Sequence, residues 1–171
     1  MIQTEPTDRA PGAAVAATED ATLYLDRRYV EYELLPHRHT ESAGEEASAL
    51  GIPPEKIAKT IVLTARHHGF VRAVLPASQR LDLHKLRELL GLSDELRLAT
   101  EGELAAEYPG FELGAVPPFG GPGGDRTVVD RRLAALRKVV LEAGSHNESV
   151  RMKTTDLLVT AMATVGDISR N

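Results

Sequence analysis

A loop rich in glycine and proline, residues 108–120, has the residue types of a ligand-binding segment. Its sequence, YPGFELGAVPPFG, places three glycines and three prolines among apolar residues, which neither a helix nor a central strand tolerates. Pro117 and Pro118 lack a backbone donor and fix their own φ, whereas Gly114 permits close approach by another molecule. Composition alone leaves two interpretations open, a binding loop with accessible amides or a well-packed surface turn.

Lys59 is a second residue that could do chemistry. It lies in the run Ile57-Ala-Lys-Thr-Ile-Val-Leu63, where apolar residues flank its ammonium at the edge of a predicted sheet. A lysine in such a position commonly buries its stem and keeps its charge in water. A surface lysine and a functional lysine therefore remain alternatives.

Histidine and serine residues offer weaker candidates. His37 and His39 are two residues apart, but no carboxylate lies nearby at ligand spacing, so we expect neither a metal nor a cofactor. Ser145 and His146 are consecutive at a predicted strand end, where neighbouring side chains point to opposite faces. That geometry argues against a nucleophile and its base.

Composition bounds the protein class. The chain has 171 residues, 42% hydrophobic and 26% charged, and no cysteine. These values are typical of a single globular domain and exclude thiolate catalysis, thiolate metal sites and disulfides. No apolar run reaches the roughly 18 residues that a membrane span needs, and the N-terminal residues do not resemble a signal peptide. We therefore expect a cytoplasmic protein with no membrane partner.

The charge is distributed unevenly along the chain. The net charge is -5, yet residues 1–50 hold ten acids and four bases, and residues 51–171 hold fifteen acids and sixteen bases. The second part contains a basic cluster, which is either a solvated helix face or a short phosphate-binding groove. We expect no DNA partner, whereas RNA is permitted. The cluster comprises Arg126, Arg131, Arg132, Arg137 and Lys138, with Arg151 and Lys153 further along.

Hydrophobic periodicity and capping signals define the elements that position these residues. Residues 1–21 predict a flexible tail and residues 22–171 a single domain. Helices are predicted near 23–28, 42–51, 83–90, 100–108 and 155–162, and strands near 32–35, 60–65, 70–75, 127–130, 138–142 and 149–152. Their irregular order favours an α+β fold, with a curved, mixed, largely antiparallel sheet or partial barrel surrounded by helices, over a doubly wound parallel sheet.

Four motifs in fixed order resemble one family. They are AKTIVL at 58–63, LDLHKL at 81–86, G-x-x-x-P from Gly114 to Pro118, and AGSH from Ala143 to His146. Together they resemble the YbaK/EbsC family of freestanding aminoacyl-tRNA deacylases, related to the editing domain inserted in bacterial prolyl-tRNA synthetases. The resemblance covers about residues 32–168. It implies a mixed α/β fold and hydrolysis of the ester between a wrong amino acid and the terminal adenosine of tRNA.

The resemblance also implies roles for individual residues. Lys59 would hold a phosphate of the terminal adenosine or steer the acyl group. Gly114 and its loop would present amides to the developing oxyanion. His146 would bond the substrate's amino group or ribose, or orient water. The other substrate-binding residues implied are Thr60, Ala115, Pro118, Gly144, Ser145, His37 and His39, and the RNA-binding residues expected from the basic cluster are Arg126, Arg131 and Arg132.

An aminoacyl ester is already reactive, so positioned water or the ribose 2'-hydroxyl could cleave it without a strong nucleophile. The expected partner is the aminoacyl-tRNA acceptor end, encountered in trans, with or without a synthetase. Pro117 stands where many relatives have a small polar residue, which leaves the amino acid specificity open. Two rival functions remain, a catalytically idle module that binds a tRNA end or nucleotide, and a regulatory interaction protein on the same fold.

Overall fold

The computed structural model describes residues 21–171. The predicted tail lies outside the described residues except for Ala21, which begins the first helix. Six helices and eight strands are found in this range. The helices are α1 Ala21–Arg27, α2 Ala43–Leu50, α3 Leu83–Leu90, α4 Glu101–Glu107, α5 Arg131–Ala134 and α6 Thr154–Thr160. The strands are β1 Tyr32–Pro36, β2 Ile57–Ala65, β3 Gly69–Pro76, β4 Leu96–Leu98, β5 Arg126–Asp130, β6 Lys138–Ser145, β7 Glu148–Lys153 and β8 Thr164–Gly166.

All eight strands form one mixed sheet in the order β1-β7-β6-β2-β3-β5-β8, with β4 paired to β2. Four pairings are antiparallel, β1 with β7, β6 with β7, and β2 with both β3 and β4. Three are parallel, β2 with β6, β3 with β5, and β5 with β8. Three of the four antiparallel pairings contain more register pairs than any parallel one. The predicted mixed, largely antiparallel sheet with surrounding helices is confirmed.

The sheet forks at one edge of β2. The parallel ladder with β6 contains only two register pairs, Ile57 with Val140 and Ala58 with Leu141. On the same edge, β4 pairs from Leu63 onward. The stretch of β2 between these two neighbours therefore has no strand against it on this edge, because β6 diverges from β2 after Leu141 while it stays paired with β7. This fork creates the opening that the candidate site occupies.

Local sequence signals account for most helix ends. Ser42 caps α2 by accepting from the N–H of Glu45, and Gly51 ends it in the left-handed conformation. In a full capping box the Glu45 carboxylate would accept from the N–H of Ser42. Here it accepts from the N–H of Glu41 instead. At α4 the full capping box of Thr100 and Glu103 is present. Three elements were not predicted, β4, α5 and β8, each only three or four residues long.

The sheet is covered on both faces. One apolar cluster joins α1, α5 and α6 to the sheet and includes Leu25, Leu133, Leu157 and Val150. A second packs α3 against the other part of the sheet. A third packs α2 over the beginnings of β2 and β6. None of the helices in residues 21–171 has the length and apolarity to cross a membrane.

Candidate active site at the fork of the sheet

A small cavity of about 150 Å³ lies at the fork. Its walls come from β2, the beginning of α2, the glycine- and proline-rich loop, and β6. A cavity of roughly this volume in another protein holds a benzene-sized molecule. The lining residues are Ser42, Ala43, Glu46, Ala58, Lys59, Thr60, Ile61, Gly114, Val116, Leu141 and Glu142.

Main-chain groups of β2 face the opening. The carbonyl of Val62 accepts from the N–H of Ala99 at 3.0 Å on the forked edge. Alternate residues of a strand direct their N–H and C=O to the same edge, so Thr60 presents both groups toward the gap. The ladder with β6 has already ended at Ala58. The sheet thus offers the cavity one backbone donor and one acceptor.

Lys59 lines the cavity, but its ammonium group is held at the side of the cavity by two backbone carbonyls. The Nζ atom donates to the carbonyl of Gln79 at 2.5 Å and lies 3.5 Å from that of Ala77, both in the loop after β3. Burial, with a smaller contribution from nearby Arg80, lowers the pKa of Lys59. No carboxylate in the described part of the chain forms an ion pair with it. Its positive charge is therefore uncompensated.

The segment Gly114 to Pro118 supplies the opposite wall. Gly114 has φ of +84°, a conformation that glycine adopts at little cost. The N–H of Ala115 is used inside the loop, where it donates to the carbonyl of Glu112 at 3.0 Å. Among the described residues, the N–H groups of Gly114 and Val116 take part in no hydrogen bond. These two amides are the donors available at the cavity wall.

A buried arginine fixes the shape of this loop. Arg72, 2% exposed in the middle of β3, donates to the carbonyl of Pro117 at 2.9 Å and to that of Gly120 at 2.7 Å. Its charge is balanced by Asp125 at 3.2 Å, which also accepts from the Tyr108 hydroxyl. Two of the three contacts from this guanidinium therefore hold both ends of the loop's proline-rich half, because the planar fork matches several acceptors at once.

The AGSH segment anchors the other half of the loop. Gly144 has φ of +95° at a β-bulge, and its carbonyl accepts from the N–H of Glu112 at 2.9 Å. The Phe111 ring packs so closely on Gly144 that an added Cβ would lie 2.6 Å from Cδ1. Buried His146 donates from Nε2 to the carbonyl of Leu113 at 2.6 Å. His146 therefore positions the residue just before Gly114.

His146 also contacts a carboxylate of the cavity. Its Nδ1 lies 3.3 Å from Oε1 of Glu142. Burial raises the pKa of Glu142 to about 7, although His146 acts against this rise. Burial acts to lower the pKa of His146, but the Leu113 carbonyl and the carboxylates Glu142 and Glu112 outweigh it and raise the pKa. Because Nε2 donates to a carbonyl, Nδ1 either accepts the proton of a neutral Glu142 or donates to an ionised one. The pair shares one proton.

A second carboxylate joins the cavity to the surface. Glu46, 1% exposed, lies 2.5 Å from the hydroxyl of buried Ser149, which lies 2.9 Å from Nε2 of half-buried His37. Burial raises the pKa of Glu46 to about 7, against the opposing hydrogen bond from Ser149. His37 donates from Nδ1 to the Arg38 carbonyl at 2.6 Å. The Ser149 hydroxyl therefore links the Glu46 carboxyl to Nε2 of His37.

The structure brings three predicted site residues to the cavity, Lys59, Thr60 and Gly114. The others support it or lie apart. His39 is exposed, with its ring edge-on to His146 at 5.4 Å and Nε2 2.5 Å from Glu41. Ser145 accepts from the N–H of Asn147. The predicted residues outside the cavity wall are Ala115, Pro118, Gly144, Ser145, His146, His37 and His39.

Sequence reasoning missed Glu46, Glu142 and Arg72, although each left a signal. Glu46 follows Ala43 by three residues and precedes Leu50 by four, so it lies on the apolar side of α2. Glu142 and Arg72 interrupt otherwise apolar strands. A charged residue at a buried position requires a partner or a function.

The predicted RNA-binding arginines are largely occupied by other contacts. Arg132 lies 3.0 Å from Asp167 and 3.4 Å from Asp130, and Arg131 lies 3.6 Å from Asp167. Arg126 donates to the carbonyl of Leu90 at 3.4 Å. Residues 21–171 contain no group of three or more His, Asp or Glu arranged to hold a metal ion.

The fold and cavity define a small α+β protein whose site is built largely from backbone amides and buried carboxylates. The sequence profile of the aminoacyl-tRNA editing domain family matches residues 37–159, and the chain belongs to this family. The family predicted from the four motifs is thereby confirmed.

Individual relatives agree with this assignment. The chain is 23% identical over 141 residues to the proline--tRNA ligase of Thermoanaerobacter sp. (strain X514), covering 80% of this chain and 25% of the ligase. It thus spans about a quarter of that relative's length. It is 28% identical over 130 residues to EbsC of Enterococcus faecalis, a proposed Cys-tRNA(Pro)/Cys-tRNA(Cys) deacylase, covering 76% and 78% of the two chains. A crystal structure of a proposed trans-editing enzyme for prolyl-tRNA synthetase superposes with a TM-score of 0.75 at 28% identity, covering 86% and 93%.

Proposed function

We propose that the protein hydrolyses the ester of a wrongly attached amino acid on tRNA and acts in trans. The observation that carries the proposal is the cavity at the fork, whose wall includes two residues with unbonded backbone amides and two buried carboxylates with raised pKa values. EbsC, a proposed deacylase, and the superposed proposed trans-editing enzyme support the same reaction, because this chain aligns with most of the length of each. A tRNA substrate supports a cytoplasmic location for the protein.

The reaction needs an acceptor for one proton and donors for one developing charge. Water adds to the ester carbonyl, and the bond to the 3'-oxygen breaks to give the amino acid and a free tRNA end. Attack by the ribose 2'-hydroxyl would first move the acyl group to the 2'-oxygen, and water would then cleave that ester. We assign the N–H groups of Gly114 and Val116 to the oxyanion, because preorganised donors contribute roughly 3–4 kcal/mol each. Glu142, whose pKa lies at about 7, takes the proton of the attacking group and returns it to the leaving oxygen, because a base is most efficient near the operating pH.

The cavity also favours small acyl groups. Its volume of about 150 Å³ is bounded by Ala43, Ala58 and Gly114, so side-chain size determines which amino acid enters. Each added methylene changes binding by about 1–3 kcal/mol in a hydrophobic pocket. Selection by volume therefore discriminates between amino acids that differ by one or two carbon atoms.

Lys59 is assigned to the terminal adenosine. Its uncompensated ammonium lies beside the cavity on the loop after β3. The carbonyls of Ala77 and Gln79 are neutral acceptors, and a phosphate of the substrate would attract the ammonium more strongly than they do.

The test is loss of labelled amino acid from mischarged tRNA. The panel is alanine, serine, threonine and cysteine on tRNA(Pro) and on other acceptors. We expect rapid loss from one or two members with the wild type, and no loss above buffer with Lys59→Ala. Arg66→Ala, which removes an exposed cation at the far end of β2, is the matched control and should keep full activity. If no member is cleaved while tRNA still binds, the idle binding module becomes the better assignment.

A further inference from the structure

A second and larger concavity lies at the end of α2 opposite to the cavity. It has a volume of about 610 Å³ and lies where β2 and β6 begin. Its floor includes Val140, and its rim carries four cations, Lys56, Arg137, Lys138 and Arg151. We call these five residues and the space between them the basic groove. None of the residues that line this concavity is acidic.

The charges of the basic groove are poorly balanced by the protein itself. In the part of the chain that the structure describes, the side chains of Lys56, Arg137 and Lys138 form no ion pair or hydrogen bond. Arg151 alone has a partner, Glu33 at 3.4 Å, and that carboxylate is exposed. A local excess of positive charge on a chain with a net charge of -5 produces a potential that attracts anions.

The strand register adds a second sign of an anionic ligand. Lys138 of β6 is directly opposite Lys153 of β7, and like charges at opposed positions destabilise a sheet. Within residues 21–171, the only ion pair of Lys153 is with exposed Glu31, at 3.9 Å. A bound polyanion would convert this repulsion into a favourable interaction.

The basic groove and the cavity lie at the two ends of α2, against the same face of β6. Lys138, Val140 and Glu142 are alternate residues of β6 and therefore lie on one face of the strand. The four steps along β6 from Lys138 to Glu142 span about 13 Å at about 3.3 Å per residue. A stacked nucleic acid strand rises about 3.4 Å per nucleotide, so this distance corresponds to roughly four nucleotides.

We propose that the basic groove binds the phosphate backbone of the single-stranded 3' end of tRNA, just before the nucleotide whose ester enters the cavity. This proposal rests on the proposed function and deepens it. It also assigns RNA binding to the basic groove rather than to Arg131 and Arg132, because Asp130 and Asp167 already compensate the charges of these two arginines. RNA remains the ligand class because an extended row of cations fits successive phosphates.

The experiment compares tRNA with a substrate that lacks the backbone. The double variant Arg137→Ala/Lys138→Ala should raise KM for mischarged tRNA about tenfold at physiological salt and leave kcat unchanged. Hydrolysis of the same amino acid esterified to adenosine should not change. Loss of two phosphate contacts should reduce the slope of log affinity against log salt by about 1.4, since each contact on a single strand contributes about 0.7. Unchanged KM and salt slope would overturn the proposal.

Binding of uncharged tRNA, followed by fluorescence anisotropy, separates this proposal from the hydrolase assignment. If the wild type cleaves neither ester, the hydrolase assignment fails. The basic groove is then supported by an affinity about tenfold weaker in the double variant, and it is refuted by equal affinity. The double variant Arg66→Ala/Arg131→Ala removes the same number of charges outside the basic groove, and it should bind tRNA almost as tightly as the wild type.

Discussion

Gly144→Ala tests the contact by which the glycine- and proline-rich loop docks on β6. The variant adds one methyl group to a residue with φ of +95°, at a point 2.6 Å from Cδ1 of Phe111. Gly124 is a matched control, because its φ is +101° and no atom lies within 4 Å of an added Cβ. The two substitutions therefore share the backbone strain and differ in the steric overlap.

The expected magnitude follows from these two contributions. A left-handed conformation costs a residue with a Cβ about 1–2 kcal/mol, which is the whole effect expected for Gly124→Ala. Overpacking a well-filled site costs about 1–3 kcal/mol more, so Gly144→Ala should lower the free energy of unfolding by about 2–5 kcal/mol. A difference of about 2 kcal/mol between the variants lowers Tm by about 4–8 °C in a chain of this size.

Urea denaturation of both variants, with the m-value as a check on two-state unfolding, measures the difference. Phe111→Leu removes the ring that the methyl group meets, so the cost of Gly144→Ala should be smaller in that background, and a double-mutant cycle reports the coupling. If Gly144→Ala lowers the free energy of unfolding no more than Gly124→Ala does, the Phe111 ring can move aside without cost, and the loop is not fixed at this point.

Three further outcomes are expected. Arg72→Ala should lower the free energy of unfolding by about 3–5 kcal/mol, because it leaves Asp125 buried without its partner; a loss below about 1 kcal/mol in urea denaturation would contradict this. The pKa values of Glu46 and Glu142 rise from 4.5 to about 7 on folding, so each neutral carboxyl stabilises the fold below pH 4.5, and up to about 3 kcal/mol per group is lost by pH 8. Glu142→Gln should flatten this decline in denaturation series from pH 5 to 8, and an equally steep decline would refute the assignment. Ala43→Val should narrow the cavity and lower kcat/KM for threonyl esters at least about tenfold more than for alanyl esters, and equal losses would place the acyl group elsewhere.

The sequence was informative where a signal is local. Ser42 and Thr100 identified two helix beginnings, and Gly51 and Gly91 two helix ends, because capping depends on a few consecutive residues. The strands β4 and β8 were missed because three residues carry too little periodicity, and only pairing with distant strands makes them extended.

The same distinction applies to the site. Lys59 and Gly114 belong to short motifs and were found. Glu46 and Glu142 are nearly one hundred residues apart, and only the packing of α2 against the forked sheet brings them to one cavity. The position of His146 was predicted to matter, but its hydrogen bond to the Leu113 carbonyl could not be inferred, because it depends on how the loop folds back.

The two free amides at the cavity wall belong to the main chain, which has a consequence for how this family can diverge. No codon change deletes a backbone N–H, other than one that introduces proline. Side chains around the cavity can therefore be exchanged over generations while the donors persist. Inactivating mutations are therefore expected at residues that do not contact the ligand, such as Arg72 and Gly144, because their replacement would displace the loop. A survey of inactivating mutations should accordingly find as many hits beneath the loop as on the wall of the cavity.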